Sequence, residues 1–171
     1  MDKFLKKTDE ILAWVLIILM GVLVIDVTWQ VVTRFVLGSA SSFTEEVARF
    51  LLIWIGLLGA AYAYRKDLHL AFDYFSMKMS GNKKKWLGIF IHLLVGVFSL
   101  LVLVIGGGYL VGLTWELNQV SAALQIRLAY VYSVLPLSGV LIMLYSAIFI
   151  RDIYRGEDES IVPEPKPSEA V

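Results

Sequence analysis

Apolar residues fall into four long runs in this chain, and the few charges inside or beside those runs are spaced by helical turns. The first run covers about Ile11–Leu37 and is interrupted by Asp26 and Arg34. The second covers about Thr44–Tyr64. The third, about Trp86–Leu113, holds His92 as its only His, Asp, Glu, Lys or Arg, and the fourth, about Leu128–Ile150, contains Pro136. About 20 mostly apolar residues in a helix cross about 30 Å of hydrocarbon, so each run predicts one transmembrane helix. The first and third exceed a perpendicular crossing, which tilt or extension beyond the bilayer absorbs. Gly106–Gly108 and Pro136 mark expected kinks or close-packing points, because neighbouring helices satisfy backbone groups that such residues free.

The distribution of positive charge orients the spans. Lys3, Lys6 and Lys7 precede the first. The Gly38–Phe43 connection has neither Lys nor Arg. The middle connection carries Arg65, Lys66, Lys78, Lys83, Lys84 and Lys85. The third connection has Arg127 alone, and the tail has Arg151, Arg155 and Lys166. Lys and Arg collect on the cytoplasmic side, so both termini and the middle connection are expected there. Within that connection Leu68, Phe72, Phe75 and Met79 line one helical face and are followed by lysines. This is the pattern of an amphipathic helix lying in the interface between spans two and three, with an extended connector as the alternative. Residues 1–155 thus read as one four-helix membrane domain. The segment 156–171, with its EDES and PEPKP stretches, reads as a disordered cytoplasmic tail.

Polar residues cluster at the opposite, outer half. Asp26, Gln30 and Arg34 recur every fourth residue on span one, and Glu45 and Arg49 do the same on span two, with Glu46 one step round. Ser42 and Glu45 have capping-box spacing, which would start span two near Thr44. A short connection makes spans one and two an antiparallel hairpin. Arg34 is then expected level with Glu45 and Glu46, and Arg49 about level with Gln30, with reach towards Asp26. The six residues are a candidate outer cluster and subunit contact. The alternative for Arg34, Glu45 and Glu46 is simple solvation at the interface. Three acids face two bases, so an acid is protonated or a neighbouring chain, lipid or water compensates.

Composition excludes several classes. The chain of 171 residues is 58% hydrophobic and 18% charged, with a mean hydropathy of +0.75, against about 25% charged for soluble domains. Zero formal net charge offers no electrostatic footprint for nucleic acid. Without cysteine there is no thiolate metal site, disulfide or cysteine nucleophile. The basic start and apolar run resemble a signal peptide, but no small-residue cleavage site follows, so the segment is read as a retained span. His69 and His92 are too few for a typical bis-histidine haem bundle. No GxSxG elbow, Walker loop or HExxH is present, so no catalytic residue, metal or cofactor is assigned and the chain is not read as an enzyme. Trp14, Trp29, Trp86 and Trp115 read as interfacial anchors. The two halves show no convincing repeat of the kind that frames a midplane transport site.

The segments EEVARFLLIWIGLLGAAYAYR (residues 45–65), with His69 and Asp73 after it, and ALQIRLAYVYSVLPLSGVLIMLYS (residues 123–146) resemble the small membrane subunit of tripartite ATP-independent periplasmic (TRAP) transporters, the DctQ-like family. The resemblance covers nearly the whole chain. It departs at Lys66–Asp67, where the family often has a Gly, and at Ile126–Arg127, where an Ile-Pro pair is common. It implies a multi-pass bacterial inner-membrane scaffold that anchors a large multi-span permease subunit. That subunit would import an organic acid (a C4-dicarboxylate, sialic acid or related sugar acid) on a sodium gradient, supplied by a periplasmic solute-binding protein. Arg65, His69 and Asp73 would then fix the bend into the cytoplasmic helix, and Glu116 and Arg127 would touch the receptor, the alternative for those two being ordinary solvated loop charges. Membrane lipids are the remaining expected partner. Two other readings stand beside it: a stand-alone small exporter using Asp26, and a haem-bearing membrane anchor.

Overall fold

The computed structural model describes residues 2–36, 38, 42–66 and 82–155. The expected interfacial helix, His69, Asp73 and the tail lie outside the described residues. Helix α1 spans Asp2–Val36 and α2 spans Ser42–Arg65. Span three is built from α3 (Asn82–Phe98), a π-helical stretch (Ser99–Gly106) and α4 (Gly107–Glu116). Span four comprises the short α5 (Leu128–Tyr132) and α6 (Val134–Arg155). The four spans are each long and apolar enough to cross a membrane, covering Leu5–Val36, Ser42–Arg65, Lys85–Glu116 and Leu128–Arg155. They overrun the expected boundaries, because polar residues at the ends continue the helices into the interface. Ser42 already lies within α2, so it does not cap a helix starting at Thr44.

The helices stand as an open row. α1 packs along α2, α2 also packs on α6, and α6 packs on span three. Leu5, Asp9, Leu12, Leu16, Leu19, Leu23, Asp26, Gln30 and Thr33 follow one another in alternating steps of four and three. Every one is buried or half-buried, which is the seam of a two-helix coil. On α2 the matching seam runs Thr44, Ala48, Leu51, Ile55, Leu58, Tyr62, Arg65. Gly38, at φ +66°, supplies the left-handed turn that ends the first helix and starts the hairpin.

Spans three and four meet along small residues. Leu103 Cβ would stand 2.7 Å from a Cβ at Gly139, and Leu135 Cβ would stand 2.7 Å from one at Gly107. Ser99 donates to the Gly139 carbonyl at 2.7 Å. Of the Gly106–Gly108 run only Gly107 makes such an approach, so the expected packing point is one glycine wide. Pro136 sits in the first turn of α6, where its missing N–H costs little. Its ring disfavours a regular turn through Tyr132, which accounts for the break at Ser133.

Candidate functional site: two polar clasps at opposite ends of the row

At the end of the row that holds Asp9 and Arg65, side chains from all four spans converge. Asp9 on α1 pairs with Arg65 on α2, its Oδ2 lying 3.3 Å from Nε. Tyr145 on α6 donates to Asp9 Oδ1 at 3.0 Å. The Arg65 guanidinium lies 5.8 Å from the Tyr145 ring centroid and 5.7 Å from that of Phe149, within cation–π range. Phe149 stacks on His92 of α3 at 4.9 Å. The Tyr64 hydroxyl lies 2.7 Å from His92 Nδ1, and Ser146 donates to the His92 carbonyl. Asp9, Tyr64, His92, Tyr145 and Ser146 are buried. A paired, hydrogen-bonded charge group can persist at such a site, whereas removing one partner leaves an uncompensated charge.

At the far end, Glu46 of α2 holds the connection between spans three and four. Its Oε1 accepts the N–H of Ala122 at 3.1 Å, and its Oε2 accepts those of Ala123 at 2.9 Å and Leu124 at 2.8 Å. The loop shapes this cradle. Asn118 and Gln125 take positive φ, Val120 bridges to Arg127, and Ser121 N–H donates to Ile126 O at 2.8 Å. The Arg127 guanidinium caps the Trp115 ring at 4.5 Å, and Tyr130 meets that ring edge-on. Trp54 adds a bond from Nε1 to the Val131 carbonyl at 3.1 Å.

The six outer-half residues singled out from sequence are therefore distributed among different partners. Glu46 serves the loop, and no Arg34–Glu46 ion pair forms among the described residues. Arg49 bonds back to Glu45 at 3.2 Å, both groups being exposed. Arg34 is exposed and shares a shallow depression with Gln30, Val31 and Phe35. Asp26 and Gln30 lie on the α1 seam. Asp26 Oδ2 is buried without a hydrogen-bond partner among the described residues. Arg65 belongs to the Asp9 clasp. Glu116 is exposed, and Arg127 is half-buried over Trp115.

Asp9, Tyr64, Tyr145 and Ser146 were absent from the sequence-based assignments. Asp9 had a legible signal, an acid in the four-three seam between Leu5 and Leu12. The tyrosines had none, being ordinary residues of apolar runs. Among the described residues, no group of three or more His, Asp or Glu is placed to hold a metal.

The geometry defines a multi-pass helical membrane protein whose interhelical polar groups fasten the spans to one another. The chain belongs to the DctQ component family of tripartite ATP-independent periplasmic transporters, whose family model matches residues 22–156. Together with the four apolar helices, this makes it a multi-pass protein of the bacterial inner membrane. It is similar to the sialic acid TRAP transporter small permease protein SiaQ of Vibrio cholerae, with 31% identity over 59% of this chain and 58% of that one. A putative TRAP transporter small permease protein of Haemophilus influenzae is 38% identical over 40% of each chain. The sialic acid TRAP transporter permease protein SiaT of Haemophilus influenzae is 32% identical over 56% of this chain but only 15% of its own length. In each comparison the chain spans less than two thirds of its relative.

Proposed function

We propose that this chain is the small permease subunit of a TRAP transporter and works as a fixed frame for a large multi-span permease subunit. The observation that carries this reading is the pair of clasps, which fasten all four spans at one end and bind α2 to the span three–four loop at the other. Long apolar faces remain exposed on the outer members of the row, with Ile25 72%, Phe35 81%, Trp86 71% and Tyr109 73% exposed. A row locked internally and apolar externally suits a plate that borders another membrane protein and lipid. The match of this chain to a small part of the longer SiaT polypeptide supports a partnership with a large permease.

The complex imports an organic acid, with sialic acid or a related sugar acid favoured by the names of the relatives and C4-dicarboxylates as the wider class. A sodium gradient drives it, and a periplasmic binding protein delivers the solute. Both termini and the middle connection face the cytoplasm, following the lysine and arginine distribution. Asp26, Gln30, Arg34, Glu45 and Arg49 border the large subunit at the outer half. Glu116 and Arg127, beside the Glu46-bound loop, face the receptor protein. The test is uptake of labelled sialic acid and C4-dicarboxylates in cells expressing the large subunit and receptor with and without this chain. Uptake that requires this chain supports the reading. Full uptake without it, or uptake by this chain alone, contradicts it.

A further inference from the structure

Beside the Asp9 clasp, a cleft of about 200 Å3 opens between α1 and α2, lined by Lys6, Asp9, Glu10, Ala13, Tyr62 and Lys66. Asp9 is committed to Arg65 and Tyr145. The charges left to face the opening are two ammonium groups and the Glu10 carboxylate. The Lys66 ammonium lies 5.5 Å from the Tyr62 ring centroid, so it has a defined seat. Lys66 follows the last residue of α2, and Lys6 precedes the apolar part of the α1 seam. Both therefore stand where a span emerges from hydrocarbon into the headgroup layer. From Tyr62, α2 continues into the membrane through Gly59 and Gly56. No side chain and no other helix comes within 4 Å of where a Cβ would stand at either, so the α2 surface below the cleft is open there.

We propose that this cleft binds the headgroup of a zwitterionic aminophospholipid. Lys6 and Lys66 take the phosphate, Glu10 takes the primary ammonium, and an acyl chain lies along the open α2 surface at Gly59 and Gly56. A purely basic patch would favour anionic lipids. Glu10 offsets one of the two lysines and opposes that preference, repelling a net negative headgroup and accepting hydrogen bonds from an amine. Its charge-assisted bonds also distinguish a primary amine from a quaternary one, which has no N–H to donate. A soluble phosphomonoester carries the same polar groups without the acyl chain. The proposal requires only that the chain is embedded in a membrane, so its failure would leave the transporter reading standing.

The test uses the full chain, with any protein that stays bound to it, delipidated in mild detergent. Phosphatidylethanolamine, phosphatidylglycerol, phosphatidylcholine or O-phosphoethanolamine is then added, and retained molecules are counted by native mass spectrometry. Phosphatidylethanolamine is expected to be retained over the other two lipids, and to lose about tenfold or more in occupancy affinity in Lys6→Gln/Lys66→Gln. Glu10→Gln is expected to bring phosphatidylglycerol level with it. Equal or better retention of phosphatidylglycerol by the unaltered chain overturns the proposal, as does a double variant that binds as before. O-phosphoethanolamine binding as tightly as the lipid overturns the lipid assignment in favour of a soluble ligand. Should the variants lose helicity by circular dichroism, the lipid selectivity of the unaltered chain decides alone.

Discussion

The phenol of Tyr145 donates to the carboxylate of Asp9 across 3.0 Å, joining the last helix of the chain to the first. Arg65 completes the group from α2. Since α1 packs along α2 while α6 packs on its other side, this contact fastens α1 to a helix it does not lie beside. Arg65→Ala, which strands the buried Asp9 carboxylate, is expected to destabilise the folded chain by about 3 kcal/mol, and Asp9→Asn, which strands the half-buried Arg65 guanidinium, by a similar amount. Tyr145→Phe removes a single hydrogen bond to a charged group, for about 1.5–3 kcal/mol. Thermal unfolding in detergent, followed by circular dichroism, checks the order, and equal effects of all three changes would contradict it.

Glu46 should matter more than its neighbour Glu45. Glu46→Ala releases three backbone donors of the loop, whereas Glu45→Ala removes an exposed pair to Arg49 worth about 0.3–0.5 kcal/mol. Hydrogen exchange at the amides of Ala122, Ala123 and Leu124 is expected to accelerate by at least about tenfold in Glu46→Ala, since a bond to a charged group contributes about 1.5–3 kcal/mol. Glu45→Ala should leave those amides protected.

Exchanging charges between Arg34 and Glu46 is expected to fail as a rescue. An arginine at position 46 presents no acceptor to the three amides, whatever stands at position 34. Any defect of Glu46→Arg should therefore persist in the Arg34→Glu/Glu46→Arg double variant. Recovery of stability or transport in the double variant would establish a direct pair instead.

Glycines of the same chain should differ in kind. A Cβ at Gly139 or Gly107 meets side chains of the facing span at 2.7 Å, so alanine there should cost about 1–3 kcal/mol through overpacking. Gly21 and Gly56 have open space, and alanine there should be neutral or stabilising by up to about 1 kcal/mol through helix propensity. Melting temperatures of the four single variants make the comparison.

The spans were legible because membrane insertion imposes long apolar runs, and their length and charge flanks survive without tertiary information. Pro136 and Gly107 were legible as special positions for the same local reason. The clasps were not, because each depends on which helices are neighbours. Glu46 looked like an outer acid awaiting Arg34, while its actual partners are backbone N–H groups that carry no sequence signal. Tyr145 and Ser146 sit in an apolar run and acquire meaning only when α6 lies between α2 and span three. Asp9 lay outside the assumed hydrophobic boundary at Ile11, yet it continues the four-three seam that reaches Thr33. Gly139 drew no attention because the π-helical stretch that brings Leu103 and Val104 against it could not be read from periodicity.

The central claim is that this locked row exists to hold a larger membrane protein. The most direct measurement is extraction of the tagged chain from its native membrane in several mild detergents, with identification and quantification of what remains bound. The account predicts a large multi-span protein in one-to-one ratio. Recovery of the chain alone, or only with copies of itself, in every detergent would contradict it.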